Sequence, residues 1–392
     1  MNDEVSPLAR TGRHKHPART GRRKLLGAAV LAAVTLFSLL TFTGLGGSSV
    51  CLGGAALCDP RAITAPGAGT GAPAPPPGPS SSASPAPAPS PTRSGGPAPS
   101  ASLSRSPDPR RDAKPPAVKG CANPRACGYP DAGSTGPRIA TLTPQSTGNA
   151  SIRTDGTVIR GWDITGSLDV YANNVTVIDS RITSTNWWGV NLRPGFSGLR
   201  ILYTEINAVP GKGPNNGGSD YAVSNMSTSS VEVGHCDISG FGDALSMGQG
   251  NLHDNYVHGI VPFKNLDGEW QHTNAVISNG GGKGKLTIRH NTLINATPVD
   301  QGASAAVGLF ADSAPVAHTV VDDNWLAGGA YTLYAGGEGS THIEVTDNVF
   351  SPEIYPSGGR YGPVAYWNAA GQGNVWRGNR MADGTPVVPT PQ

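Results

Sequence analysis

Residues 286–293 read Leu-Thr-Ile-Arg-His-Asn-Thr-Leu, a pattern of eight residues from which the fold can be predicted. Apolar residues hold its first, third and eighth positions, and a small or amide residue holds its sixth. Apolar residues at every second position are typical of a β-strand with one face turned inward. This alternation stops after the third position, and the break two residues later marks a bend into a second strand. The pattern therefore describes two short strands joined by a bend.

The same pattern recurs from residue 157 onward. Its sixth position, from Trp162 to Asn379, advances in steps of 18 to 36 residues, which predicts nine coils of variable length. Five copies are complete and four are degenerate. The complete copies span residues 175–182, 199–206, 231–238, 286–293 and 343–350, and the degenerate copies end at Ile164, Val257, Leu326 and Met381.

A third strand accompanies most of these units, as in residues 221–225, 243–247 and 331–334. Three strands and three turns per coil predict an all-β domain, a right-handed parallel β-helix of about nine coils in which each coil is stabilised by its neighbours. A propeller is the main rival fold. Its four-stranded blades need about 40–45 residues, and the observed steps average well below that length.

The sixth position is asparagine in five successive coils. We expect a left-handed turn residue there, a conformation that asparagine tolerates. With coils stacked about 4.8 Å apart, each side chain can hydrogen-bond to the equivalent side chains above and below. Cys236 holds the same position one coil earlier and is expected to be buried and structural. The predicted ladder consists of Asn255, Asn291, Asn324, Asn348 and Asn379.

Composition divides the chain into four segments. Residues 1–24 are basic, and residues 25–46 form an uncharged run of about 20 residues, long enough for a helix that spans a bilayer. Basic residues before such a run direct the following chain outward, so it is a retained signal anchor or a cleaved signal peptide. Residues 47–118 form a disordered linker rich in Pro, Ala, Ser and Gly, and residues 119–392 form the β-helix domain.

This order predicts a protein that is secreted, or anchored in the cell membrane with its C-terminal domain outside. Twin arginines at 22 and 23 leave export by the twin-arginine route as an alternative. In an exported chain, Cys51/Cys58 and Cys121/Cys127 are expected to form two short-range disulfides, the second closing the entrance to the folded domain. No Cys-x-x-Cys or histidine cluster accompanies these cysteines, so no metal ligand is predicted.

The domain is mildly acidic, since residues 119–392 hold 16 Lys and Arg against 22 Asp and Glu, a net charge of −6. This charge gives no support for nucleic-acid binding, which requires a concentrated basic face. A polyanionic substrate would need a local basic patch or a bridging cation. We expect a monomer that contacts the membrane through its N-terminal segment only.

Four long insertions, at residues 207–220, 258–273, 294–305 and 351–363, fall between the end of one repeat and the next strand. In a solenoid, such loops form the functional wall. We therefore expect them to cluster along one edge. The polar residues of that edge are Asp220, Asp243, Lys264, Asp267, Glu269, His272, Asp300 and Arg360.

Asp243 and His272 are expected on adjacent coils. A carboxylate and an imidazole this close could act as acid and base on a glycosidic linkage, or the imidazole could remove a proton next to a uronate carboxylate. Alternatively, Asp243 caps a turn and His272 donates to a loop carbonyl. The catalytic candidates are Asp243, His272, Glu269 and Lys264, and the substrate-binding candidates are Trp270, Asp220, Asp267, Tyr334 and Arg360.

Several readings of the carboxylates and aromatic residues stay open. Asp267 with Glu269, or Asp220 with Asp243, could be the two carboxylates of an inverting hydrolase. The same groups could bind Ca²⁺, or simply be solvated. Aromatic side chains here either stack on sugars or pack in the core and loops. The aromatic candidates are Trp187, Trp188, Trp270 and Tyr334.

With this repeat, residues 121–381 resemble the pectate-lyase-like right-handed β-helix superfamily of polysaccharide lyases, polygalacturonase-type hydrolases and uronan epimerases. Residues 127–137, Cys-Gly-Tyr-Pro-Asp-Ala-Gly-Ser-Thr-Gly-Pro, followed by residues 156–164, Gly-Thr-Val-Ile-Arg-Gly-Trp-Asp-Ile, look like the opening of a group of secreted bacterial β-helix proteins. The resemblance implies a carbohydrate-active protein acting on an extracellular polysaccharide by lyase or hydrolase chemistry. The alternative is a non-catalytic surface module for glycan binding or adhesion.

The chain departs from that group at one motif. Relatives often carry His-Thr-Asp-Gly-Ile-Gln where this chain has His-Thr-Asn-Ala-Val-Ile at residues 272–277. Asn274 thus replaces the acid, and a neutral amide cannot act as a general base. The Arg-Ile-Lys motif of polygalacturonase-type enzymes is also missing.

Overall fold

The structure, a computed structural model, describes residues 120–389. The predictions for the basic segment, the signal segment, the linker and the Cys51/Cys58 disulfide concern residues 1–119 and lie outside this range. Within residues 120–389, the structure has no helix that is both long enough and apolar enough to cross a membrane. The only helices found there are two short 3-10 helices, Arg125–Cys127 and Val299–Gln301.

Residues 143–381 form a right-handed parallel β-helix with three faces, and its strands are numbered β1 to β26 in chain order. Face one is a sheet of nine strands, one from each coil, which confirms the predicted number of coils. Its strands are β2 (Val158–Arg160), β4 (Thr176–Ile178), β7 (Arg200–Leu202), β10 (Val231–Gly234), β13 (Gly250–His253), β16 (Leu286–Arg289), β19 (Ala317–Asp322), β22 (Thr341–Thr346) and β25 (Val375–Arg377).

Face two follows face one across the bend of the repeat. Its strands are β1 (Thr143–Ile152), β3 (Trp162–Val170), β5 (Arg181–Ser184), β8 (Glu205–Ala208), β11 (Asp237–Ser239), β14 (Tyr256–Val257), β17 (Thr292–Asn295), β20 (Trp325–Gly328), β23 (Val349–Phe350) and β26 (Arg380–Met381). Face three holds the predicted third strands. They are β6 (Trp188–Leu192), β9 (Tyr221–Asn225), β12 (Asp243–Ser246), β15 (Thr273–Ser278), β18 (Ala303–Leu309), β21 (Leu333–Ala335) and β24 (Val364–Ala365). The long strand β3 pairs with β5 on face two and with β6 on face three, so the two faces join as one sheet.

The core consists of apolar side chains stacked in files along the column axis. The eighth repeat position forms one such file, in which Ile182 pairs with Ile206 and Ile206 with Ile238. These three side chains are fully buried. Burying one such side chain contributes roughly 1.5–3 kcal/mol. Because one coil alone cannot cover this file, stability depends on the stacking of neighbouring coils.

The asparagine ladder is present as predicted. Each amide Nδ2 donates to the Oδ1 of the next asparagine at 2.9 Å, in four successive steps from Asn255 to Asn379. Each Oδ1 also accepts the backbone N–H of the preceding asparagine at 3.0–3.1 Å. The first four side chains are fully buried and Asn379 is 4% exposed. The ladder thus satisfies buried backbone and side-chain groups together.

The left-handed turn residue is the fifth position of the repeat, and its prediction at the sixth position was wrong. Asp254, His290 and Asp323 precede the ladder asparagines, with φ of 55°, 52° and 52°. The fifth residue reverses the chain and points its side chain outward. The sixth residue can then turn its amide into the column. Two roles that the sequence analysis gave to one residue are therefore divided between neighbours.

Residues 120–138 run along the outside of this bend against the direction of coil stacking. The Cys121 N–H donates to the Ala382 carbonyl at 2.8 Å, beside the last coil. Tyr129 Oη donates to Asp323 at 3.1 Å, and Arg138 makes two bonds of 2.8 Å to Asp179, near the first coils. The chain therefore crosses the length of the column before β1 begins.

The predicted disulfide between Cys121 and Cys127 is present. It joins residues at the start of the folded domain and lies beside the last coil, because residues 120–138 traverse the column before β1 begins. Cys236 has no disulfide partner within the described range of residues 120–389 and is buried, as predicted. Burial raises the pKa of its thiol to about 12, which suits a structural residue.

Candidate functional site

The insertions between faces two and three lie together along one edge of the column, as expected. Asn215 in the first insertion donates to Asn265 Oδ1 in the second at 2.7 Å. The N–H of Thr273, at the end of the second insertion, donates to the Gly302 carbonyl in the third at 2.9 Å. The strands of face three begin at this edge, so residues at their starts lie beneath the insertions.

Asp220 and Asp243 lie side by side at this edge. Asp220 immediately precedes β9 and Asp243 opens β12, and the Asp243 N–H donates to the Asp220 carbonyl at 2.8 Å. Gln271 Nε2 donates to both carboxylate oxygens of Asp220 at 3.1 and 3.2 Å. Asn274 Nδ2 donates to Asp243 Oδ1 at 2.8 Å. Both carboxyl groups are buried. The Tyr221 hydroxyl is a further hydrogen-bond partner of Asp220.

Burial makes this carboxyl pair a weak acid. Loss of solvent contact raises the pKa of Asp220 to about 7. Burial, and then the charge of Asp220, raise the pKa of Asp243 well above its ordinary value. Two neighbouring carboxyls away from water cannot both ionise at low cost. The pair therefore retains a proton at neutral pH, which is the state that a general acid requires.

An aromatic side chain from the second insertion covers the pair. The Phe263 ring lies so close to Gly218 that a Cβ there would be 2.0 Å from a ring carbon. At Gly242, which precedes Asp243, a Cβ would be 2.9 Å from the same ring. Trp187 packs edge-on against Phe263, with ring centroids 5.9 Å apart, so this tryptophan packs against a loop. Because the Phe263 ring leaves no space for a side chain, positions 218 and 242 are glycine. The same ring separates the two carboxyl groups from solvent.

Most of the other predicted site residues in the second insertion are solvent-exposed: Lys264, Asp267, Glu269 and His272, whereas Trp270 is half-buried. Lys264 Nζ lies 5.3 Å from the centroid of the Trp270 ring. His272 makes no side-chain hydrogen bond within residues 120–389. Asp243 and His272 therefore come from adjacent coils, as expected, but the structure does not join them by a hydrogen bond.

The carboxylates of the insertion are engaged locally. Asp267 Oδ1 accepts the Glu269 N–H at 3.1 Å and stabilises the tip of the loop. Neither Asp220 nor Asp243 forms a hydrogen bond with Asp267 or Glu269. In the absence of an ion, the raised pKa values of Asp220 and Asp243 suit acid chemistry.

A second group of residues lies further along face three. Tyr334 on β21 packs between Phe310 and Tyr366, with ring centroids 5.1 and 5.6 Å away. The Phe310 ring occupies the space above Gly308, where a Cβ would be 2.3 Å from a ring carbon. These three rings belong to successive coils and form a row along the column axis.

Two further tyrosines widen this row. Tyr331 packs edge-on against Tyr334 at 5.6 Å and contacts Tyr361 at 6.0 Å. Tyr361 is 63% exposed and Tyr366 is 53% exposed. Arg360, next to Tyr361, is also exposed. We name this surface the aromatic face; it consists of Phe310, Tyr331, Tyr334, Tyr361 and Tyr366.

The predicted residues thus fall into two groups. Tyr334 is part of the aromatic face and Arg360 adjoins it, whereas the other candidates belong to the edge that holds Asp220 and Asp243. The β12 and β21 strands are three coils apart, about 14 Å at the usual strand spacing. The other four aromatic residues and Gln271 were not predicted as site residues from the sequence. The aromatic row could have been found by aligning Tyr334 with the strands on either side, but Gln271 lies in an irregular loop.

Comparisons with known proteins add no assignment. No protein-family model matches the chain, and neither the curated proteins nor the solved structures include a significant match.

Proposed function

We propose that this protein binds an extracellular polysaccharide and that the ligand lies along its aromatic face. The single observation that supports this proposal is the row of rings on successive coils, with two tyrosines more than half exposed. Aromatic rings pack against the apolar C–H faces of sugars and supply large contact areas. A row that repeats with each coil suits a ligand that is itself a repeating chain.

The surroundings of the row support a carbohydrate ligand. Exposed Arg360 offers hydrogen bonds to sugar hydroxyls and charge-assisted bonds to uronate carboxylates. An extracellular location, with the protein secreted or anchored by its N-terminal segment, is part of the proposal. The Cys121–Cys127 disulfide supports it, because such bonds persist in oxidising compartments. We place the protein near the pectate-lyase-like β-helix proteins on the motifs quoted above.

A double substitution tests the aromatic face. We expect Tyr361→Ala with Tyr366→Asn to weaken polysaccharide binding by about tenfold or more, since each aromatic contact contributes about 0.5–1.5 kcal/mol. Asparagine is chosen at position 366 because the residue has a φ of 58° there. Binding is measured on the full-length chain with a panel of uronans and neutral glycans.

The matched control is Tyr355→Ala. Tyr355 belongs to the same insertion as Tyr361 but is half-buried and lies outside the aromatic face. It should bind as the wild type does. Equal binding by the double variant and the wild type, with unchanged thermal stability, would contradict the proposal.

A second candidate function is cleavage of the polysaccharide by lyase or hydrolase chemistry. It is favoured by the pKa of about 7 at Asp220, because a general acid works best near the pH at which it titrates. Asp220 would donate a proton to the leaving oxygen as the glycosidic bond breaks. The neighbouring Asp243 carboxyl would favour the protonated form of Asp220. The Phe263 cover would have to be displaced for substrate to reach the pair.

Turnover separates this candidate from binding alone. If Asp220 is the acid, the full-length protein should release unsaturated or reducing ends from one glycan of the panel, and Asp220→Asn should abolish the release. The rate should fall as the pH rises through about 7, because the acid loses its proton there. Asp267→Asn, on the exposed loop, serves as the control. Equal rates for these two variants would exclude Asp220 as the acid.

A further inference from the structure

The outer side of the asparagine-ladder bend carries a cluster of histidines and carboxylates that the proposed function does not use. His235, Asp254 and His290 occupy the fifth repeat position on successive coils, all in the left-handed conformation. Their side chains therefore project from the same line on the column. His253, the last residue of β13, projects beside Asp254. This bend joins faces one and two, whereas the aromatic face lies on face three.

Three of these side chains converge on one point. His235, His253 and Asp254 each offer one nitrogen or oxygen atom, and these atoms all lie within 4.8 Å of one another. The Asp254 Oδ2 atom is 2.8 Å from His253 Nδ1 and 3.7 Å from His235 Nε2. Ligands about 2.0–2.1 Å from a tetrahedral Zn²⁺ are about 3.4 Å apart. Small side-chain rotations would bring the three atoms to that spacing.

Neighbouring groups already orient these ligands. His253 Nε2 lies 3.3 Å from Glu232 Oε1, so its outer nitrogen faces a carboxylate while Nδ1 faces the cluster. His290 Nδ1 lies 2.7 Å from Asp254 Oδ1 and holds the second oxygen of that carboxylate. A carboxylate behind a metal-bound histidine fixes its tautomer and orientation in known metal sites.

The ring of His235 is held in a similar way. It stacks on Tyr203, with centroids 4.4 Å apart and planes 3° from parallel. The three side chains of the cluster retain 22–32% of their exposure, so an ion and a water molecule can reach them. Their backbones lie at the bend that carries the asparagine ladder, or next to it. The cluster is therefore preorganised and accessible.

We propose that His235, His253 and Asp254 bind one divalent transition-metal ion, with Zn²⁺ as the preferred ion and water in the fourth position. Two imidazoles and one carboxylate suit Zn²⁺, whereas Ca²⁺ and Mg²⁺ prefer oxygen ligands alone. Glu232 and His290 are positioning residues of this site. The proposal is independent of polysaccharide binding.

Calorimetric titration of the metal-free, full-length protein with ZnCl₂ tests the proposal. We expect one Zn²⁺ to bind per chain, and His253→Ala to abolish binding. Glu232→Gln should weaken it by about ten- to a hundredfold, which is the usual effect of losing a partner behind a metal ligand. Bound Co²⁺ should give the strong visible absorption of a tetrahedral site, and CaCl₂ should give no binding.

The chain contains a matched control. His318 and His342 are exposed, lie on successive coils and stack with centroids 5.0 Å apart, but neither forms a salt bridge with a carboxylate within residues 120–389. Their double substitution by asparagine, which tolerates the left-handed backbone of both residues, should leave Zn²⁺ binding unchanged. Loss of binding in this control, or full binding by Glu232→Gln and His253→Ala, would overturn the assignment. If His253→Ala fails to fold, the Glu232→Gln titration and the Co²⁺ spectrum decide.

Discussion

Asn324→Ala is expected to lower the free energy of unfolding by about 3–5 kcal/mol, because it breaks the asparagine ladder at its centre. Asn324 Oδ1 accepts both the N–H and the side-chain amide of Asn291, at 3.0 and 2.9 Å. Its Nδ2 donates to the Ile288 carbonyl and to Asn348 Oδ1 at 2.9 Å. Alanine leaves these buried groups without partners, and water cannot replace the lost bonds.

Position along the ladder should modulate this effect. Asn379→Ala should cost less, since Asn379 ends the ladder and is slightly exposed. Asn251→Ala, on the exposed side of β13, should change stability by less than about 0.5 kcal/mol. Chemical denaturation of the three variants measures the differences. A similar loss for Asn251→Ala and Asn324→Ala would show that the ladder bonds add nothing specific.

Asp220→Asn is expected to stabilise the protein by about 4 kcal/mol at pH 8 and by very little below pH 4. Asp220 has a folded-state pKa of about 7 against an ordinary value of 3.8, so the folded protein binds its proton more tightly than the unfolded chain does. The stabilisation from that proton is complete below pH 3.8 and is lost as the pH rises towards 7. Above that pH the buried charge destabilises the fold.

The side-chain oxygen of asparagine at position 220 can still accept the hydrogen bond from Gln271, and the amide carries no charge. The wild type should therefore lose stability between about pH 4 and pH 7 more steeply than Asp220→Asn. Melting temperatures at a series of pH values measure this difference. Asp267→Asn, which changes an exposed carboxylate, should parallel the wild type. Parallel profiles for Asp220→Asn and the wild type would mean that water reaches Asp220 in solution.

The repeat determined the architecture from sequence. Each copy contains its own strand, bend and second strand, so local pattern and spacing were enough to predict nine coils, three faces and the ladder from Asn255 to Asn379. The left-handed residue was misplaced by one position, because asparagine tolerates that conformation and also forms ladders. Only the backbone geometry shows that Asp254 makes the turn while Asn255 points inward.

The candidate site was less accessible to sequence reasoning. The insertions were predicted to share one edge because their place in the repeat is regular, and the structure agrees. What each side chain contacts depends on irregular loop conformations. The Phe263 cover and the Gln271 bonds to Asp220 follow no periodic pattern. The histidine cluster could have been seen in advance, since His235 and Asp254 share one repeat position, but His253 lies outside that position.

The repeat established which residues face the core and in what order the coils stack, because a period of alternating strands encodes both. Contacts between distant groups emerged only from the folded chain: the partners of Asp220, the row of rings around Tyr334, and the path of residues 120–138 along the column. Coil stacking follows from a repeated local preference, whereas loop contacts depend on the packing of segments that have no common pattern.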